Sequence, residues 1–180
     1  LADPRGNLIF EYLRLIGEVR PQFFVLENVA NIVTAALVHR PIADRPGKHW
    51  SLKRYDGTGT YGNFDGIPLS EDERSGSAIR EVLRVVDELG YTTTFGVLDA
   101  ADYGAPQHRL RFIMIGSRES DYVPLPEATH GPSNATGTPF RTVRDAIFPL
   151  RDEPGPGSEY TEPVRRYFQL VPEGGNWRSL

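Results

Sequence analysis

The sequence predicts an α/β domain, and three observations carry that prediction. An amphipathic helical period at 7–19 leads straight into a continuous apolar run at 22–26. A second helical period closes on a glycine at 90, and two β-type runs, 92–98 and 110–115, flank a short loop of turn formers. The 180 residues, 39% apolar and 24% charged, have the composition of about one globular, water-soluble domain.

Between Asn7 and Val19, Leu8, Tyr12, Leu15 and Val19 recur on one side with Ile9, Leu13 and Ile16 beside them, while Glu11, Arg14 and Glu18 fall opposite. Asn7 is placed to cap this helix, and Arg20-Pro21 ends it because the residue before proline disfavours the helical region. Gln22 to Leu26 has the pattern of a strand buried on both faces of a parallel sheet. From 34 to 76, turn formers such as Arg45-Pro46-Gly47 and Asp56-Gly57-Thr58-Gly59 replace periodicity, which predicts a long surface excursion. Within it, Lys48, Lys53 and Arg54 beside Trp50 and Tyr55 can touch phosphates or bases, although a solvated loop is the plainer explanation. Ser77 to Leu89 is a second amphipathic helix with Ile79, Leu83, Val86 and Leu89 on one side, opened by Ser77 and closed by Gly90. Strands at Thr92–Leu98 and Leu110–Ile115 are close enough in sequence for an antiparallel hairpin. After Ser117 the chain turns rich in proline and glycine, with one short helix at Thr142–Phe148, and reads as a linker. Three strands are too few to close a doubly wound domain, so the sequence looks like half of a sheet with one unpaired edge.

The net charge is −4, with 11 basic against 14 acidic residues in 1–100 and 9 against 10 in 101–180. Neither half is a basic domain, so contact with nucleic acid has to come from local arginines. No apolar run approaches the roughly 18 residues of a membrane span, and no cationic leader precedes one, which predicts a soluble, cytoplasmic protein with no membrane partner. The absence of cysteine excludes disulfides and thiolate metal sites, and no metal ligand set is expected.

Glu27 stands at the carboxyl end of the first predicted strand, where open α/β sheets place their ligand crevice. Partly desolvated by Phe23, Phe24 and Val29, it can hold or deliver a proton, although by itself such a glutamate is more often a solvated loop residue. Asn28 is equally a turn former. In Tyr103-Gly-Ala-Pro-Gln-His-Arg-Leu-Arg, a strand puts Gln107, Arg109 and Arg111 on one face by its period of two. That face is either a solvated edge or a ligand site whose guanidiniums suit a base carbonyl or a phosphate. His108 points the other way, toward packing or the surface. Asp3-Pro4-Arg5-Gly6-Asn7-Leu8 lies before the first helix, where amides and Gly6 allow a close approach to a ligand.

Taken in order, Asp3-Pro-Arg-Gly-Asn-Leu8, Phe24-Val-Leu-Glu-Asn-Val29, Glu88-Leu-Gly-Tyr91 and Tyr103-Gly-Ala-Pro-Gln-His-Arg-Leu-Arg-Phe112 resemble motifs V to VIII of the DNA cytosine-5 methyltransferase family. Pro172-Glu-Gly-Gly-Asn-Trp177 is similar to the stretch leading into that family's target-recognition domain. The resemblance implies a partial Rossmann-like methyltransferase sheet. Residues 1–120 would be the second half of a catalytic domain, 34–76 a variable excursion, and 121–180 a linker and the start of the target-recognition region. It implies S-adenosylmethionine as cofactor, double-stranded DNA as partner, base flipping as the means of access, and restriction–modification in a bacterial cytoplasm or nucleoid as the setting. By resemblance, Glu27 bonds N3 and the exocyclic amine of cytosine and Arg111 donates to O2. Arg109 and Gln107 support the nucleophile loop and strand geometry, Asn28 holds that loop, and Leu8 and Asn7 face the cofactor. The family's Phe-x-Gly-x-Gly loop and its Pro-Cys nucleophile are not among the 180 residues. A fragment or split subunit is therefore expected, inactive alone, with the cysteine on a missing N-terminal half or partner subunit. A catalytically silent binding partner, an RNA cytosine-5 methyltransferase and a convergent nucleotide-binding fragment are the alternative readings.

Overall fold

The computed structural model describes residues 8–41, 44, 69–132, 137–152 and 155–179. It divides into two compact units, Leu1–Arg141 and Thr142–Leu180. The boundary splits the 121–180 stretch.

In the first unit, helix α1 (Leu8–Val19) buries Leu13 and Ile16 and leaves the Glu11/Arg14/Glu18 side to solvent. It stops where expected, but at Arg20 the backbone enters the left-handed region with φ 52°. The Arg20 amide still donates to the Ile16 carbonyl at 2.9 Å. Around this turn the Arg20 guanidinium donates to the Leu89 carbonyl (2.7 Å), and Tyr91 Oη (2.6 Å) and Arg118 Nε (3.0 Å) both donate to the Pro21 carbonyl. These bonds offset the strain of a non-glycine residue at positive φ.

Strand β1 (Phe23–Val29) departs from the expected parallel strand buried on both faces. It pairs antiparallel with β3 (Leu110–Ser117), and burial alternates: Phe24 and Leu26 are inside, whereas Phe23, Val25 and Val29 are more than half exposed. The physical reason is topological, because β2 (Thr92–Asp99) and β3 form the expected hairpin, giving a sheet of order β1-β3-β2 with every pairing antiparallel. Such a sheet needs apolar cover on one face only. That cover comes from α1 and from α2 (Ser77–Glu88), whose Ile79, Val82 and Val86 join Phe24, Leu26, Tyr91, Phe112 and Met114 in the core. Phe24 meets Tyr91 edge-on at 5.1 Å. It also lies over Gly116, where any Cβ would come within 2.1 Å of its ring.

Gly76, in the left-handed region, stands at the N-cap of α2, and Ser77 opens the helix as its first residue, as expected, but without a capping side chain. Instead its buried hydroxyl accepts from the Leu37 amide (2.8 Å) and donates to the Asp72 carbonyl (2.6 Å). Gly90, at φ 77°, closes α2 as expected. The 34–76 excursion falls largely outside the described residues, Lys48, Trp50, Lys53, Arg54 and Tyr55 included, but its two ends are fastened together. Val38 donates to the Asp72 carbonyl, and Arg40 grips Glu73 with Nε to Oε1 at 2.6 Å and a second nitrogen to Oε2 at 2.5 Å.

Beyond β3 the chain returns to the hairpin. The amides of Thr129 and His130 donate to the Asp102 carbonyl at 2.9 Å each, and Tyr103 Oη donates to Pro126.

The second unit contains α3 (Val143–Ile147), opened by a Thr142/Asp145 capping box, and α4 (Glu162–Leu170). Sequence reading missed α4, although Thr161-Glu162-Pro163 is a helix-start signal.

Candidate functional site

Glu27 and Arg111 meet on the outer face of the sheet. In the β1–β3 register Val29 faces Arg111 and Glu27 faces Ile113, so Glu27 and Arg111 are diagonal neighbours on one face. Arg111 Nε donates to Glu27 Oε1 at 2.7 Å, and another guanidinium nitrogen donates to the Leu110 carbonyl at 2.8 Å. The Glu27 side chain is 56% exposed and that of Arg111 22%. The expected desolvation of Glu27 is therefore not found, because Phe24 turns to the opposite face while Phe23 and Val29 are themselves open to solvent. An exposed pair of this kind adds little stability. What it provides is a carboxylate and a donor fork held side by side.

Glu27 also lines a cavity of about 580 Å³ together with Asn28, Leu8, Tyr12 and Asn31, whereas Arg111, Arg109 and Gln107 are not among its lining residues. Three residues selected from the sequence, Glu27, Asn28 and Leu8, thus line one cavity. Asn28 is half-buried on the inner face and accepts from the Val29 amide through Oδ1 at 2.8 Å. Leu8 is the first described residue, exposed at the start of α1. Asn7 lies outside the described residues. Tyr12 donates its hydroxyl to the Val25 carbonyl at 2.9 Å, and burial raises its pKa above the usual phenol value.

The expected face of Gln107, Arg109 and Arg111 does not form, because β3 begins only at Leu110 and the period-two rule does not reach 107 and 109. Arg109 is exposed and engaged through its backbone: its amide donates to Asp99 Oδ1 at 2.8 Å and its carbonyl accepts from Ala100. Gln107 is exposed in the preceding loop. Among the described residues no hydrogen bond or ion pair links either side chain to Glu27. His108 lies at the surface, as expected, bonded to Asp99 Oδ2 at 2.9 Å and edge-on to Phe140.

Asp99 is the residue that sequence reading passed over. Its carboxylate accepts from His108, from the Arg109 amide and from the Ala101 amide, and these bonds, that of His108 foremost, hold its pKa below the usual carboxylate value. An Asp ending a strand four residues before a Tyr-Gly turn was the available signal. Among the described residues no group of three or more His, Cys, Asp or Glu is placed to hold a metal ion.

The sequence model of the C-5 cytosine-specific DNA methylase family matches residues 1–40 and 69–169. The gap between the two matched segments falls within the excursion, and residues 170–180, Pro172 to Trp177 included, lie outside the match. Type II methyltransferase M.AquIA of Picosynechococcus sp. is 31% identical over 159 residues, covering 83% of this chain and 52% of that protein. Type II methyltransferase M.SacI of Streptomyces achromogenes is 27% identical over 183 residues (98% of this chain, 37% of that protein). Type II methyltransferase M1.HphI of Haemophilus parahaemolyticus is 29% identical over 145 residues (81% and 27%). The chain spans about half the length of these relatives, or less.

Proposed function

Since the chain belongs to the C-5 cytosine-specific DNA methylase family, we propose that it forms the base-gripping part of an enzyme that methylates C5 of a cytosine turned out of duplex DNA. The observation that carries this reading is the 2.7 Å pair of Glu27 and Arg111, with Glu27 on the wall of a cavity of about 580 Å³. A flipped cytosine presents N3, an amino group and O2 along one edge, and a carboxyl beside a guanidinium is complementary to that edge. Glu27 accepts from the amine with one oxygen and, through a proton carried on the other, donates to N3, stabilising the ring as charge reaches N3, while Arg111 donates to O2. Asn28 supports the loop that carries the nucleophile. Gln107 and Arg109 brace the hairpin and that loop.

The residues present also fit S-adenosylmethionine. The cavity lies within the roughly 300–1,000 Å³ of small-ligand sites, and Leu8, Phe10 and Tyr12 give it an apolar wall. Leu8 and Asn7 would face the cofactor. When bound, it supplies the methyl group.

The 180 residues contain no cysteine, so the thiolate that the reaction needs comes from outside them. Alone, the chain is expected to transfer no methyl group. Double-stranded DNA is its partner, and modification within a restriction system is the setting that the Type II relatives suggest. Likeness to Type II methyltransferases supports placing the enzyme in the cytoplasm, and among the described residues no helix is long and apolar enough to cross a membrane.

The test uses the complete enzyme that contains this chain. Glu27→Gln lowers kcat by about 100-fold or more while DNA binding in a gel-shift assay persists. Arg111→Ala weakens capture of the flipped base, read from 2-aminopurine fluorescence, more than it weakens cofactor binding. Near-native turnover in the first variant, or equal losses in the second, removes these residues from the assigned roles.

A further inference from the structure

We propose that Asp99 is the positioning residue of the base-gripping arginine: a single carboxylate ties both ends of the loop between β2 and β3 and so sets the direction in which Arg111 reaches Glu27. The inference rests on the roles proposed for Glu27 and Arg111 and adds a residue to which the family reading gives no part.

The loop spans Ala100 to Arg109, and Asp99 is the last residue of β2, directly opposite Leu110, the first of β3. Asp99 Oδ1 accepts from Ala101 N at 3.2 Å, where the loop departs, and from Arg109 N at 2.8 Å, where it returns. Oδ2 meets His108 Nδ1 at 2.9 Å. The Ala100 amide donates to the Arg109 carbonyl at 3.1 Å, so Arg109 is held on both sides of its own peptide. Arg111 follows two residues later. Between the carboxylate and Arg111 lies only Leu110, whose side chain is exposed and whose backbone is paired with Asp99 itself.

A long arginine on a half-open face has many rotamers, and ordering it has an entropic cost. Its backbone must therefore be fixed independently. The Asp99 side chain is 19% exposed, shielded enough for its three bonds to persist, unlike the more open Glu27. The remainder of the loop is held from outside, by the Thr129 and His130 amides on the Asp102 carbonyl and by the His130 ring stacked where Gly104 has no Cβ. These contacts fix the loop tip, and at the exit into β3 Asp99 acts together with the strand pairing of Arg111 to Val29 and Leu98.

The experiment reads the Arg111 Nε–H group directly by ¹⁵N NMR of the whole 180-residue chain, with the Met114 methyl signal reporting the core. Glu27→Gln first establishes the pair: a bonded Nε–H signal that moves in this variant identifies it, and a signal indifferent to Glu27 overturns the roles proposed for the pair itself. Given the pair, Asp99→Ala speeds exchange of the Arg111 Nε–H with water by roughly fivefold to tenfold, the loss of about one hydrogen bond, with the Met114 methyl unmoved. Asp99→Asn keeps an acceptor for both amides and restores slow exchange. Slow exchange in Asp99→Ala, or failure of Asp99→Asn to restore it, overturns the inference. Should Asp99→Ala unfold the core, Asp99→Glu, which keeps the charge and displaces it by one methylene, is read in the same way.

Discussion

At the scale of single residues, Gly116 shows how one missing atom decides a core. The Phe24 ring occupies the space a Cβ would need, 2.1 Å from the nearest ring carbon, and both residues are walled in by the sheet and its two helices. Gly116→Ala is expected to cost about 1–3 kcal/mol, measured by urea unfolding, because neither backbone nor ring has room to yield. Phe24→Leu added to it recovers part of the loss, and a purely additive double variant contradicts the account. That Glu27, Asn28 and Leu8 stand near the ends of elements could be read from the sequence, because an apolar run closes on the first two and a helical period opens on the third. Gln107 and Arg109 were placed on the Arg111 face because the strand was extended three residues too far. Asp99 was overlooked since two of its three bonds go to backbone amides, which side-chain periodicity does not report.

At the scale of elements, both helices and the hairpin could be read from periodicity and glycine punctuation, whereas the direction of β1 could not. An apolar run looks the same whether its neighbour is parallel or antiparallel, and only the return of β3 between β1 and β2 decides. Helix α4 stayed hidden because the proline and glycine on either side of it dominate the local composition. Where the excursion leaves and rejoins the domain, Arg40 and the Ser70 amide draw the Glu73 pKa down to about 2 from an ordinary 4.5. A carboxyl depressed in the folded state contributes stability that is complete above pH 4.5 and is lost as the pH falls from 4.5 toward 2. Glu73→Gln should therefore unfold at lower temperature than the parent at pH 7, with the gap closing as acid is added. A gap that stays constant down to pH 2 would mean that the pair with Arg40 plays no part.

At the scale of the whole molecule, the family match runs over 1–40 and 69–169, and the chain spans about half the length of its relatives or less. The first unit carries the carboxylate, the guanidinium and the cavity, and it is stitched where α1 ends by Arg20, Tyr91 and Arg118. Among the described residues β1 pairs on one side only, and Phe23, Val25 and Val29 line its outer face. In a tube of purified protein, that arrangement makes each molecule a template for its neighbours, and self-association should grow steeply with concentration. Val25→Lys puts a charge in the middle of the sticky row and should suppress light scattering at high concentration without altering the melting temperature. If both versions scatter alike, the clumping starts elsewhere.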